Sequence, residues 1–273
     1  MLELYLDRDL SSDSLRFVSH NESSRPAAGV ESLQNKVVLV VGGGTGIGLG
    51  IGLAFAKEGS KVVLAARTQS TLDAAKQLPH IGASLLTKTC DATNRAQLAE
   101  LVAWVTERAG PIDILVYSAG SNVPKRTFAD IPPDDFDRIM SVNATGAFNC
   151  MHAVLPAMRA RKSGLILNIV SLGGLRMLQV AGLPYSASKF AQSAIGHFAN
   201  LESLPDGVRV TNIYPGETET PILDKRPVPP SAEQRARMLQ PEDVAAMALA
   251  VAKLPPRATV PEIVITPRHM PLL

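Results

Sequence analysis

The run Val37-Val-Leu-Val-Val41 is apolar throughout, almost wholly β-branched, and leads directly into Gly42-Gly-Gly-Thr-Gly46-Ile-Gly48. A strand with no polar face must be buried on both sides, which places it inside a parallel sheet covered by helices. Six further short runs repeat the theme: Lys61–Ala65, Ser84–Thr89, Asp113–Tyr117, Leu165–Val170, Val208–Tyr214 and Glu262–Thr266. Between them the pattern predicts helices over 46–58, 69–77, 94–109, 134–160, 184–204 and 241–253. Strand–helix alternation of this kind specifies an α/β fold with a doubly wound parallel sheet.

Breakers support these boundaries. Gly110-Pro111 precedes the fourth strand, Pro132-Pro133 opens the long helix, and Leu204-Pro-Asp-Gly207 closes the next one. With 273 residues, 46% of them hydrophobic, the chain suits one Rossmann-like domain over 33–273. Residues 1–32 are rich in Ser, Asn, Glu and Pro, lack periodicity, and are expected to form a mobile N-terminal extension. They have neither the basic start and apolar stretch of a signal peptide nor the acid-poor character of a mitochondrial presequence. The segment 218–237 holds four prolines and few apolar residues, and reads either as an ordinary surface loop or as a lid beside a site.

A formal net charge of +2 is too small to argue for nucleic acid or an anionic membrane as partner. No apolar run reaches the roughly 20 residues that a membrane-spanning helix needs. The two cysteines, Cys90 and Cys150, form neither a CxxC pair nor a metal-ligand spacing, so no metal is expected and a reducing, cytoplasmic compartment fits.

Gly42, Gly46 and Gly48 have the spacing GxxxGxG. Two other registers satisfy it, but only Gly42 follows the strand directly, where the tight turn must fall. Glycine there lets backbone approach a pyrophosphate, and the next helix offers its positive N-terminus; the plainer reading is a glycine-rich turn with no ligand. The second strand ends in Val63-Leu-Ala-Ala-Arg67-Thr68, with no acid between Lys61 and Ser70. NAD sites of this fold usually have an acid there for the ribose 2′-hydroxyl, whereas a guanidinium meets a 2′-phosphate. Arg67 therefore favours NADP(H) over NAD(H), unless it is a solvated surface arginine. Asp91, after the third strand, either accepts from an adenine amino group or caps the following helix.

Tyr185 and Lys189 stand four residues apart in Tyr185-Ser-Ala-Ser-Lys189, so on a helix they share a face, roughly 6 Å apart along the axis. A tyrosine with its usual pKa of about 10 is a poor acid–base catalyst near neutrality, and a neighbouring ammonium favours its phenolate. Ser171 ends the fifth apolar run, at the carboxyl edge of the sheet where ligands bind. A Tyr-x-x-x-Lys pair alone is most often a solvated helix face. Its combination with the glycine turn points to hydride transfer between a nicotinamide cofactor and a carbonyl or alcohol.

Over roughly residues 34–267 the chain resembles the short-chain dehydrogenase/reductase family in its classical type. The motifs that carry the resemblance occur in order: Gly42-x-x-x-Gly46-Ile-Gly48, Asp91, Ala119-Gly120, Asn143 in Val142-Asn-Ala-Thr-Gly146, Ser171, Tyr185-x-x-x-Lys189, and Pro215-Gly216 with Thr220. The resemblance implies that Tyr185 exchanges the substrate proton, Lys189 lowers its pKa and bonds the nicotinamide ribose, Ser171 bonds the carbonyl, and Asn143 completes a tetrad by holding a water beside Lys189. It implies a cofactor site made of Gly42, Gly44, Thr45, Gly46, Ile47, Gly48, Arg67, Asp91, Ala92, Ala119, Gly120, Asn143, Tyr185, Lys189, Pro215, Gly216, Thr218 and Thr220. It also implies a homodimer or homotetramer built on helices 134–160 and 184–204.

Three departures from the family pattern carry expectations of their own. Val41 replaces the threonine before the first glycine. Tyr117-Ser118-Ala119-Gly120 replaces Asn-Asn-Ala-Gly, so side-chain support of the central strand is expected to be lost. The Ser-to-Tyr spacing is one residue longer than the commonest, which affects the path of 172–184. Glu217 and Glu219 flank Thr218 and are expected to face solvent, because acids are rarely buried unpaired. His152 and His197 fall within predicted helices and are expected to pack, as are Cys90 and Cys150. The leading reading is an NADP-dependent carbonyl reductase or alcohol dehydrogenase. The rivals are an NAD-dependent polyol or sugar dehydrogenase, and a non-catalytic nucleotide sensor of the same fold.

Overall fold

A computed structural model describes residues 30–270 of the chain. Its sheet has seven strands, all paired in parallel, in the order β3-β2-β1-β4-β5-β6-β7. They are β1 (Val37–Val41), β2 (Lys61–Ala66), β3 (Leu86–Thr89), β4 (Ile114–Tyr117), β5 (Gly164–Ile169), β6 (Val208–Pro215) and β7 (Glu262–Ile265). After β3 the chain crosses back over the sheet to place β4 beside β1, so the strand order reverses there. The resulting crevice at the carboxyl ends of β1 and β4 is the natural ligand site of such a sheet.

Successive side chains of each strand serve opposite layers, as the two-residue strand period requires. Val38 and Val40 pack with Ile51 and Phe55 of α1 (Gly46–Lys57) and with Val244 and Ala248 of α8 (Pro241–Ala252). Leu39 and Val41 pack on the other side with Leu98 and Leu101 of α3 (Arg95–Arg108) and with Met151 and Val154 of α5 (Gly146–Ala160). Both faces are therefore dry, and the unbroken apolar run of β1 follows from that. Each fully buried Val, Leu, Ile or Phe contributes about 1.5–3 kcal/mol. Helix α1 lies close against α8, since a Cβ on Gly50 would come within 2.8 Å of Pro241 Cβ. A Glu58–Lys253 ion pair of 2.6 Å joins their far ends.

The structure differs from the sequence expectation in several places. The helix expected over 134–160 is present but widens to a π-type turn at Ser141–Thr145, which separates α4 (Pro133–Met140) from α5 while the backbone stays helical throughout. The Tyr117 hydroxyl donates to the carbonyl of Val142 inside this turn. Tyr117 thus supplies support of a different kind from the asparagine it replaces, linking β4 to the turn that carries Asn143. The strand expected from Ser84 starts at Leu86, because Gly82–Ser84 forms a tight turn first. The segment 218–237 contains a 3₁₀ turn at Pro221–Lys225 and one turn of helix, α7 (Ala232–Arg235), entered through a Ser231/Gln234 capping box. The remaining helices are α2 (Gln69–Lys76) and α6 (Leu183–Ser203).

At the N-terminus the Glu31 amide already donates to the Lys253 carbonyl at 2.9 Å, and Leu33 is buried in the α1/α8 layer. Residues 1–29, most of the expected extension, lie outside the described residues. No described helix is long and apolar enough to cross a membrane.

Candidate active site

The carboxyl ends of β1, β2, β4 and β5 open onto a cleft of about 320 Å³. A smaller cavity of about 130 Å³ continues from it beneath the 218–237 segment.

The glycine turn forms the floor of the larger cleft. Gly42 has φ +85°, and a Cβ there would fall 2.4 Å from the amide nitrogen of Ala119. The turns after β1 and β4 therefore meet backbone to backbone. Gly48 does not face the cleft; it lies beneath the turn, where a Cβ would fall 2.3 Å from the Gly42 carbonyl oxygen, so α1 can begin directly under it. Thr45 makes no side-chain capping bond, which leaves the first N–H groups of α1 available to an anion. Gly44, Thr45, Gly46 and Ile47 line the cleft, with Asp91, Ala92, Ala119 and Gly120 further along it. Arg67 sits on its rim, exposed to solvent, beside Thr68 and Thr71. An uncapped helix N-terminus, a side-chain-free floor and a guanidinium on the rim fit the phosphates of a dinucleotide.

Asp91 folds its own turn, accepting from the Thr93 amide at 2.9 Å and from the Thr93 hydroxyl at 2.8 Å. Of the two readings open for it, capping of α3 falls to Asn94 instead, whose side chain accepts from the Gln97 amide at 3.1 Å.

Tyr185 lines both cavities, and so does Thr220. Lys189 reaches the larger one, while Ser171, Pro215, Gly216 and Thr218 border the smaller. Helix α6 carries Tyr185 and Lys189 on one face, with the lysine ammonium nitrogen 5.7 Å from the centre of the Tyr185 ring. Burial raises the Tyr185 pKa, while the Ser171 hydroxyl and the Arg226 charge oppose that rise. Burial also lowers Lys189 to about 7, so its charge changes near neutrality. Its Nζ donates to the Gln192 side-chain oxygen at 2.7 Å and to the Ile169 carbonyl at 3.1 Å. Asn143 is fully buried behind this group. It accepts from the Ser121 amide at 2.8 Å, and donates to the Ser121 carbonyl at 3.0 Å and the Ser188 hydroxyl at 2.9 Å.

The smaller cavity has apolar walls from Leu172, Leu178, Val180, Ile222, Leu223 and Met270. Of its charged groups, Glu217 and Arg226 pair with each other, whereas Arg126 has only carbonyl partners among the described residues. Arg126 is buried and spends its guanidinium on the carbonyls of Val123, Val180 and Lys225. Glu217 and Glu219 do not point to solvent as expected. Glu217 pairs with Arg226 at 2.9 Å and His269 at 3.2 Å, and Glu219 pairs with Arg235 at 2.8 Å, which also holds Asp224. Arginines from the same segment thus pair with two partly covered acids, although the second oxygen of Glu219 is buried without a hydrogen-bond partner. His152 stacks on Phe148, with ring centres 5.5 Å apart. His197 bonds Glu262 and Tyr214 at the sheet edge. Burial raises the pKa of Cys90 to about 11 and also raises that of Cys150, as for packed thiols.

Sequence reasoning missed Arg126, Lys225 and Gln192. Only Gln192 left a trace: it is a polar residue three positions after Lys189, on the helix face that must be buried.

A parallel sheet with this crevice, glycine turn and Ser–Tyr–Lys group defines a nicotinamide-dependent oxidoreductase. The family model described as "short chain dehydrogenase" matches residues 36–228. A glycine betaine reductase of Emericella nidulans is 35% identical over 246 residues, 88% of this chain but 19% of that much longer protein. An uncharacterized oxidoreductase of Staphylococcus saprophyticus is 35% identical over 239 residues, covering 86% of this chain and 98% of its own. Among solved structures, an actinorhodin polyketide ketoreductase variant with NADPH superposes with a TM-score of 0.76 at 32% identity, covering 84% of this chain and 95% of its own. The chain belongs to the short-chain dehydrogenase/reductase family. It is an NAD(P)-dependent oxidoreductase, and the reading as a non-catalytic sensor is set aside.

Proposed function

We propose that the protein reduces a small carbonyl compound, or oxidises the matching alcohol, with NADP(H) as preferred cofactor. The observation that carries this reading is the position of Tyr185 at the junction of the two cavities, one large enough to hold much of a dinucleotide and one sized for a small substrate. Arg67 on the rim supports the choice of NADP(H), as does the NADPH-bound ketoreductase of the same fold. The absence of an acid at the end of β2 counts against an NAD-dependent polyol dehydrogenase.

The glycine turn, Arg67 and Lys189 would hold NADPH, which when bound would supply the hydride to the carbonyl carbon. Tyr185 then gives its phenolic proton to the carbonyl oxygen, which the Ser171 hydroxyl holds in place. The tyrosinate left behind is stabilised by Lys189 as an ammonium, since an opposite charge nearby favours the ionised phenol. Asn143 completes the tetrad by fixing the π-type turn against Ser188, one residue before Lys189, where a water can pass protons. The mostly apolar walls of the smaller cavity favour a substrate with an apolar body, and the positive charge of Arg126, which bonds only to backbone carbonyls, disfavours a cationic one. The exposed faces of α5 and α6, with Phe148, Phe198 and Leu201, would form the interface of a homodimer or homotetramer. Residues 1–32 serve as an extension that catalysis does not need, and the cytoplasm is the expected compartment.

NADPH and NADH oxidation against a panel of aldehydes and ketones tests the reading. Turnover with NADPH at several-fold higher kcat/KM than with NADH is expected. No turnover with either cofactor across neutral carbonyls would overturn it.

A further inference from the structure

Lys189 is the first member of a buried chain of side chains that the catalytic reading does not use. Its Nζ donates to Gln192 Oε1 at 2.7 Å, and Gln192 Nε2 donates to Asn168 Oδ1 at 2.7 Å. Asn168 Nδ2 donates to Asn212 Oδ1 at 2.7 Å, and Asn212 Nδ2 donates to the Tyr214 hydroxyl at 3.2 Å. The Tyr214 hydroxyl donates to Glu262 Oε1 at 2.9 Å, where His197 also pairs at 2.9 Å. Gln192, Asn168, Asn212 and Tyr214 are 0–1% exposed, whereas the Glu262 and His197 side chains are 44% and 43% exposed. The chain thus runs from the catalytic lysine to the protein surface.

Every bond in it points the same way. A backbone carbonyl fixes each amide: Gln192 Nε2 also donates to Ile169 O, Asn168 Nδ2 to Gln192 O, and Asn212 Nδ2 to Ser193 O. A flipped amide would set oxygen against oxygen. At the far end Glu262, when ionised, can only accept. Each oxygen therefore faces back toward Lys189, and aligned bonds of this kind polarise one another. Space has been left for the crossing: a Cβ on Gly196 of α6 would fall 2.0 Å from Asn212 Oδ1 and 2.7 Å from Asn168 Nδ2. A buried network satisfied throughout rigidifies the groups it joins, and here its inner end is Lys189.

We propose that Gln192 is a positioning residue for Lys189. It presents a fixed acceptor that favours the ammonium form, and the Asn168–Asn212–Tyr214–Glu262 chain holds it in that orientation. The inference rests on the catalytic reading of Tyr185 and Lys189 given above. The other charged groups on this side are Arg226, which acts on Tyr185, and Arg67, Asp91 and Lys225, which line the larger cleft with the pair. Tyr214, Glu262 and His197 stand at the far end of the chain.

The test is the titration midpoint of Lys189 in the cofactor-free protein, followed by ¹³C-lysine NMR and assigned with Lys189→Met. Gln192→Met keeps the side-chain length and removes the acceptor. It is expected to lower the midpoint by about one pH unit, because the ammonium loses a partner. Tyr214→Phe, remote from the reaction, is expected to lower it by a few tenths of a unit as the chain loses its anchor. In alcohol oxidation, the limb that rises with pH should move upward in both variants. A purely structural role would lower the melting temperature and leave the midpoint in place. Should Gln192→Met fail to fold, the Tyr214→Phe titration decides alone. An unchanged midpoint overturns the inference. A shifted midpoint with an unmoved turnover profile would leave the chain's role standing and overturn the catalytic reading instead.

Discussion

Arg67, Tyr185 and Lys189 each expose a different part of the chemistry to measurement. Arg67→Ala should weaken NADPH binding by about 1.5–3 kcal/mol, the range for charged hydrogen bonds, and should barely change NADH binding. Fluorescence titration would show this, and equal losses for both cofactors would count against a 2′-phosphate contact. Tyr185→Phe removes only a hydroxyl, so the rate should fall by roughly 10²–10⁴ while cofactor affinity survives. Single-turnover kinetics with NADPH would measure it. Lys189 also affects stability. Its folded pKa of about 7 lies below the usual lysine value of 10.5, so above pH 7 the unfolded chain binds more protons than the folded one. Stability should therefore rise with pH between about 7 and 10.5 on account of this residue, and the penalty is largest below 7. Lys189→Met should flatten that dependence in urea unfolding curves taken from pH 7 to 9.5.

At the scale of elements, the π-type turn between α4 and α5 depends on a matched pair. A Cβ on Gly146 would fall 2.4 Å from the Tyr117 hydroxyl that holds the turn. Gly146→Ala should cost about 1–3 kcal/mol through overpacking. In a Tyr117→Phe background the same change should cost clearly less, and a double-mutant cycle on unfolding free energies would give the coupling. Additive effects would show that the turn adjusts without reference to Tyr117. This turn also marks where the sequence stopped being legible. Val37–Val41, buried on both faces, announced its strand, and Gly42, Ser171 and the i,i+4 pair Tyr185/Lys189 are residues that the structure brings to the two cavities, because each rule involved acts over a few residues. Residues 134–160 keep an unbroken helical pattern, and nothing local shows that a tyrosine from another strand will take the Val142 carbonyl. Glu217 and Glu219 were misread for the same reason: their partners Arg226, His269 and Arg235 lie 9 to 52 residues further on. Arg235, holding Glu219 and Asp224, ties the segment over the smaller cavity. Arg235→Ala should raise KM for the carbonyl substrate while leaving the NADPH dissociation constant unchanged. A change in cofactor affinity alone would show that this segment serves the cofactor.

For the whole molecule, a chain beginning at Val30 keeps the Glu31–Lys253 bond and the Leu33 contact. It should match the full chain in melting temperature and turnover. A fall of many degrees by calorimetry would show that residues 1–29 pack on the body or on a second copy.

The strand order carries one more consequence, for the growing chain. Strand β1 is central, yet its neighbour on one side is β4, with Val38 opposite Ile114. During synthesis β1 can pair at once only with β2, and its other edge waits for more than seventy further residues. At about 5–20 residues per second that is a delay of several seconds, with an apolar, unpaired strand edge exposed. A nascent chain stopped before Asp113 should therefore be prone to aggregate and to engage chaperones, and because β4 then presents its own apolar edge, relief should come only once β5 has been made, past Ile169.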